Sequence, residues 1–293
     1  MPDTRTQCSL CTSNGKLDGS VETAFVRCNV REFATEHFTI WRCPHCRSIH
    51  SRDVVDLPRY YRNYPFQRQV PNFGMRLITR NYVRRLQSGG LKKRHCVLDY
   101  GCGSGMLIGQ LRRMGYADVH GFDPYSRDFR DDSVLTRHYD FVILQDVIEH
   151  VEDPTKLLEQ IIDLTVPGGG ICIGTPNAEG IDLARWQTYV HSLHQPYHLH
   201  ILSENLLRKM AGERGLTVIK FYNTYFADTL LPFVNVRSNL FYANLFDNTI
   251  DLAFDPIRFH PRLLSPRGIA LGLFGHFMPH RSEMMALFRK DGV

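Results

Sequence analysis

Residues Val97-Leu98-Asp99-Tyr100-Gly101-Cys102-Gly103-Ser104-Gly105-Met106-Leu107-Ile108-Gly109-Gln110-Leu111 constrain this chain more than any other stretch. An apolar run over Cys96–Leu98 reads as a buried strand. It breaks into glycine at every second position and resumes as a helix whose inner face carries Met106, Leu107, Ile108 and Leu111. Glycines at 101, 103 and 105 let the backbone turn sharply and lie against a ligand with no Cβ in the way. The helix that follows directs its free N–H groups at whatever sits there.

A glycine-rich turn alone is common to many nucleotide binders. Two acids narrow it. Asp99 sits at the strand end, where a carboxylate can meet an ammonium and would repel a pyrophosphate. The next strand, Val119-His120-Gly121-Phe122-Asp123, ends in an acid placed to take a ribose diol. The third glycine of a dinucleotide fingerprint is absent, because position 106 is Met. An amino-acid-bearing nucleoside therefore fits better than a dinucleotide. These residues resemble motif I and its acidic follower in class I S-adenosylmethionine (SAM) methyltransferases. The resemblance implies an α/β fold: a Rossmann-like, seven-stranded, mostly parallel sheet with helices on both faces. It also implies that Asp99, Gly101, Cys102, Gly103 and Gly105 hold the methionine part and Asp123 the ribose hydroxyls, with Phe122, Pro124, Gln145 and Asp146 completing the cofactor pocket.

Ahead of this domain lie Cys8-Ser9-Leu10-Cys11 and Cys43-Pro44-His45-Cys46, two Cys-x-x-Cys knuckles. Each pair can chelate from one tight turn, and the four thiolates of Cys8, Cys11, Cys43 and Cys46 close a tetrahedral zinc shell with no open position, a structural site. Residues 1–56 thus resemble a zinc ribbon, too small to supply its own core without metal. Residues 57–94 form a linker and first helix, and residues 95–293 the methyltransferase domain, with a long aromatic-rich insertion at about 224–282. Paired cysteines in this pattern suit a reducing compartment. The start has no apolar leader and no run of about 18 apolar residues occurs, so a cytoplasmic protein with no membrane partner is expected. The net charge of +5 permits an anionic partner without demanding one.

In the linker, Tyr60, Tyr61, Tyr64 and Phe66 cluster, with Tyr61 and Tyr64 expected to line the pocket. A helix over 72–86 carries Arg76, Arg80, Arg84 and Arg85, a solvated face or a phosphate-binding strip. After Asp123 the span to the next strand is short, so the family's third strand and its adenine-binding acid are compressed or missing, with Asp131 and Asp132 as candidates. The strand over 139–146 runs into Val147-Ile148-Glu149-His150, at the carboxyl end where ligands bind in open sheets.

This segment resembles ubiquinone-biosynthesis O-methyltransferases and their small-molecule relatives. In some relatives, including RNA 3′-end 2′-O-methyltransferases, a Glu-x-x-Glu-His run there holds a divalent metal with a later His. Here the run is Asp146-x-x-Glu149-His150, so a metal at Asp146, Glu149 and His150 is one implied use. Without it, His150 serves as base and Glu149 as its orienter. His191, His194, His198 and His200 follow, and His198 is the second base candidate. The expected function is methyl transfer from SAM to a small-molecule acceptor, favoured at oxygen, with histidine-assisted deprotonation. The alternative is an RNA methyltransferase that docks RNA through the ribbon, and a third reading is a non-enzymatic partner subunit. The insertion is a candidate acceptor lid or homodimer contact.

Overall fold

The structure, a computed structural model, describes residues 4–11, 13, 15–62, 64–65 and 73–292. Phe66 and Asn72 lie outside these. The N-terminal unit holds β1 (Thr23–Arg27), β2 (His37–Arg42) and β3 (Ile49–Ser51), followed by α1 (Leu57–Tyr61) and α2 (Phe73–Ser88). The main sheet then alternates strand and helix: β4 (Val97–Tyr100), α3 (Met106–Arg113), β5 (Val119–Phe122), β6 (Tyr139–Gln145), α4 (Pro154–Leu164) and β7 (Thr165–Pro176). After α5 (Val190–Leu193) and the two-residue β8 (His200–Ile201) come α6 (Glu204–Gly212) and β9 (Leu216–Tyr222). The insertion carries α7 (Val236–Asn244) and α8 (Pro266–Phe274) before β10 (Glu283–Lys290) closes the chain.

Among the described residues the main sheet has six strands in the order β5-β4-β6-β7-β10-β9. The strands β5, β4, β6 and β7 pair in parallel, and β10 inserts antiparallel between β7 and β9. The class is as expected, but six strands replace seven. Asp132–Thr136, where the missing strand would lie, winds as a short 3-10 turn whose cap Asp131 accepts from Ser133 N–H. Eight residues between Asp123 and that turn cannot hold a crossover helix, which needs a dozen or more residues with its loops.

Alternation along β6 shows why both faces are covered. Phe141 and Ile143 point into a cluster with Val83 and Leu86 of α2 and Ile108 and Leu111 of α3. Val142 and Leu144 point to the other side, against Leu157 and Ile161 of α4 and Leu207 of α6. A strand buried on both faces reads as an unbroken apolar run. Asp153 starts α4 by accepting from Lys156 N–H, with Pro154 in the first turn, and Ser203 starts α6 by accepting from Leu206 N–H.

The N-terminal unit is joined to this frame by backbone. Its sheet takes a fourth strand from far along the chain, order β1-β2-β3-β8, with His50 opposite His200. Val26, Ile40 and Ile49 pack against Leu183, Val190 and Ile201. Arg42, 3% exposed, clamps the joint: its guanidinium pairs with Glu22 at 2.7 Å and donates to the carbonyls of Ala178 and Ile181 at 2.7 Å each.

Candidate active site and thiol cluster

The carboxyl ends of β4, β5 and β6 meet in one cleft. Gly101, Gly103 and Gly105 all hold positive φ, at 77°, 53° and 73°. A Cβ on Gly101 would strike Val147 and one on Gly105 would strike Phe129, whereas one on Gly103 would meet open space. Gly103 therefore bares its backbone toward the cleft at the mouth of α3. Its N–H donates to Asp123 Oδ2 at 2.8 Å, while Tyr125 and Ser126 N–H groups donate to Oδ1 at 2.8 and 3.0 Å. Asp123 is thus aimed and ready to accept a hydroxyl. Asp99 finds no hydrogen-bond donor among the described residues, and burial beside Asp123 pushes its carboxyl up to about 7. A cationic ammonium answers that need.

Phe122 is buried against Tyr100, rings 5.1 Å apart, Cys102 is half-buried at the turn, and Pro124 lies exposed at its rim. Gln145 ends β6 and donates from Nε2 to Asp146 Oδ1 at 2.8 Å. Asp146 sits at φ 54°, a left-handed conformation that costs a non-glycine residue about 1 kcal/mol or more. Asp146 is accessible from the cleft yet enclosed, and its carboxyl is pushed up to about 6.

One turn further, the chain brings Glu149, His150 and His198 together. One ligand atom of each lies within 4.8 Å of the others. Glu149 is fully buried. Its Oε2 accepts from Thr175 Oγ1 at 3.0 Å, whereas Oε1 has no partner and lies 3.9 Å from His198 Nε2. Burial and the nearby Asp146 raise the Glu149 carboxyl well above its ordinary range. His150 Nδ1 and His198 Nδ1 stand 3.1 and 2.9 Å from the carbonyls of Tyr197 and Ser192. A carbonyl only accepts, so each ring carries its proton on Nδ1 and a lone pair on Nε2. Burial lowers His150 to about 4 and takes His198 well below the ordinary imidazole range, so both rings are neutral near pH 7.

The other histidines are committed elsewhere. His194 gives its Nδ1 proton to Asn29 Oδ1 at 2.6 Å and accepts from Tyr64 hydroxyl at 2.7 Å. His191 bonds Asn29 and Asn248, and His200 faces His50 at 3.2 Å. Tyr61 hydroxyl lies 3.1 Å from His150 Nδ1, and its ring stacks on Tyr125. Among the arginines of α2, Arg76, Arg80 and Arg84 are exposed along one stripe. Arg85 is spent on the Thr224 and Tyr225 carbonyls. Asp146, expected among metal ligands, does not join the converging trio. Its short side chain is turned to Gln145. Glu283 was not anticipated: it opens β10, accepts from Ser192 Oγ at 2.7 Å, and burial near Asp146 pushes it up to about 8. The only local sign was an acid heading the apolar run Met284–Phe288.

In the N-terminal unit, Cys8, Cys11, Cys43 and Cys46 converge with Sγ separations of 3.6 to 3.9 Å. A tetrahedral Zn–S shell with bonds of about 2.3 Å has edges of about 3.8 Å, so the four sulfurs already stand at the right spacing. The close contact with Cys46 and burial raise Cys8, burial raises Cys43, and the same contact with Cys8 lowers Cys46 to about 3. Without a cation four thiolates cannot share so small a volume.

A profile of the methyltransferase-domain family matches residues 66–220, more than half of the chain. The chain belongs to this family of SAM-dependent methyltransferases. Among curated proteins it is similar to the ubiquinone biosynthesis O-methyltransferase of Xanthomonas oryzae pv. oryzae, 30% identical over 131 residues, 37% of this chain and 53% of that protein. It is also similar to the enzyme of the same name from a Shewanella strain, 29% identical over 119 residues, 33% and 49% of the two chains. The chain thus spans about half the length of the curated relatives it matches. Among solved structures it is similar to a SAM-dependent methyltransferase from Archaeoglobus fulgidus, 14% identical, with a TM-score of 0.44 over 80% of this chain and 98% of that one.

Proposed function

We propose that the chain transfers a methyl group from SAM to an oxygen of a small-molecule acceptor. The observation that carries this reading is the neutral, Nε2-unprotonated His150 beside the unpartnered Glu149 Oε1, next to the cleft that Asp99 and Asp123 shape. SAM, when bound, supplies an electrophilic methyl carbon. Asp99 holds its ammonium as a carboxylate, Asp123 accepts from its ribose hydroxyls, and Gly103 lets the backbone approach. Asp146 and Gln145 border the space between cofactor and acceptor. His150 takes the acceptor hydroxyl's proton on Nε2, with His198 as the alternative acceptor nitrogen and Glu149 compensating the charge that develops. Much of the rate comes from holding the acceptor oxygen in line with the methyl group.

The trio also fits a divalent cation. Glu149 Oε1 is orphaned, and both imidazoles present lone pairs while their Nδ1 protons are fixed on carbonyls, the arrangement usual for metal-bound histidine. A cation there supplies Lewis acidity toward the acceptor hydroxyl. The four-cysteine cluster fits structural zinc, and residues 1–56 are proposed as its module. The exposed stripe of Arg76, Arg80 and Arg84 supports the second reading, an RNA acceptor.

Incubating the protein with methyl-labelled SAM and cell extract, with and without ribonuclease, separates the two. Ribonuclease-insensitive label in the low-molecular-weight fraction is the expected result. Label in a ribonuclease-sensitive polymer favours the RNA acceptor, and no transfer to any fraction counts against both.

A further inference from the structure

Helix α8 is built inside out. The positions it turns toward the protein are Gly268 and Gly272, continued by Gly275, and each meets a neighbour so closely that a Cβ would strike it: the Leu263 carbonyl, the Phe233 ring and the Asn235 side chain. The positions it turns outward are Ile269, Leu273 and Phe274, at 41%, 39% and 54% exposure, followed by Phe277 at 72%. A helix in contact with water on one side normally does the reverse. The preceding loop adds Ile257 and Phe259, at 93% and 70% exposed. So many large apolar side chains on one short segment exceed the scattered exposure of ordinary surfaces and mark an interaction site.

The charge on this segment has one sign. Residues 256–282 contain four arginines, Arg258, Arg262, Arg267 and Arg281, and no carboxylate. All four are exposed. We propose that this face of the insertion docks on the surface of an anionic lipid bilayer, with the apolar side chains entering the headgroup–acyl boundary and the arginines against lipid phosphates. A second copy of the chain fits less well, because a two-fold contact of this face with itself would set arginines against arginines. Nor is a span involved: no helix among the described residues is long and apolar enough to cross a membrane. This is a lying-on contact, proposed in place of the sequence-based expectation of no membrane partner. It does not depend on which acceptor is methylated.

The test is flotation of the purified full chain with vesicles of phosphatidylcholine alone and with about 30 mol% phosphatidylglycerol. The chain should float with the anionic vesicles, remain behind with the neutral ones, and be released as salt is raised to about 0.5 M. I269D/L273D should weaken flotation more than about tenfold, since a charge at the interface opposes insertion. R262Q/R267Q, which leaves the apolar face intact, should weaken it on anionic vesicles in the same direction. No flotation under any composition, or flotation indifferent to both variants, overturns the proposal. So does a dimer in sedimentation velocity that I269D/L273D dissolves while vesicles are ignored, which gives the face to a second copy. The wild-type lipid and salt comparisons decide the matter even if a variant fails to fold.

Discussion

His150 holds its Nδ1 proton against the carbonyl of Tyr197, 3.1 Å away, and that bond determines what the rest of the ring can do. Tyr197 is itself fixed, fully buried, with its hydroxyl on the Tyr60 carbonyl at 3.0 Å. The lone pair therefore resides on Nε2, and the ring cannot readily swing to trade nitrogens. Burial keeps it neutral, so the nitrogen that accepts is available across the physiological pH range.

His150→Ala should lower kcat by about 10²–10⁴, the range expected for losing a positioned proton acceptor. SAM affinity, read by calorimetry, should change by less than about threefold, because the residues proposed to hold the cofactor, Asp99, Gly103 and Asp123, lie at the ends of β4 and β5 and in the turn before α3. Equal losses in kcat and SAM affinity would make His150 a wall of the cofactor pocket.

Asp123→Ala should weaken SAM binding by about 1–3 kcal/mol, the cost of losing a hydrogen bond to a charged group. The same change frees the Gly103 N–H, which now donates to Asp123 Oδ2 at 2.8 Å. Asp123→Asn should recover part of the loss, since its amide oxygen can still accept one of these bonds. Isothermal titration of the two variants checks the order.

Much of this was legible in the chain. The glycine turn, the acids at 99 and 123, the paired cysteines and the strand over 139–146 are local patterns: an apolar run, a helix start, a fixed spacing. What escaped is long-range. Glu283 reaches Ser192, 91 residues away, and Arg42 reaches Ala178, 136 residues away, through contacts that no spacing announces. The seventh strand failed for the opposite reason, because family expectation outran a segment too short to form it. His194 looked like its neighbours in sequence, and only the Asn29 and Tyr64 contacts distinguish a buttress from a base.

Cys43→Ser should release metal and loosen more than the N-terminal unit. Because β3 pairs with β8, and Leu199 N–H donates to the Glu149 carbonyl at 2.8 Å, the thiol cluster and the histidine trio share a backbone path. Metal analysis should find about one zinc per wild-type chain and less in the variant, since a structural site contributes its binding energy to folding. Hydrogen exchange should quicken at residues 197–201 as well as 8–46. Zinc at the wild-type level in the variant would remove the site.

Arg42→Met should destabilise the protein by about 2–4 kcal/mol, because it leaves the buried Ala178 and Ile181 carbonyls without their donor, while the exposed Glu22 keeps Arg47 at 3.5 Å. Thermal unfolding is the readout. A double variant with Glu22→Gln should cost less than the sum, as directly paired residues do.

SAM binding should depend on pH through Asp99. Its folded carboxyl titrates near 7, above the ordinary 3.8, so the folded apo chain binds a proton more tightly than the unfolded chain. The sign follows: between about pH 4 and 7 the unfolded state carries fewer protons, and apo stability falls as pH rises. An ammonium beside Asp99 reverses this by favouring the carboxylate. SAM affinity should therefore rise about tenfold from pH 6 to pH 8, since the carboxyl must give up its proton to pair. In Asp99→Asn the affinity should be lower throughout and this slope should vanish. A slope that persists in Asp99→Asn would assign the titration to Asp146 or Glu283, whose carboxyls are raised to about 6 and 8.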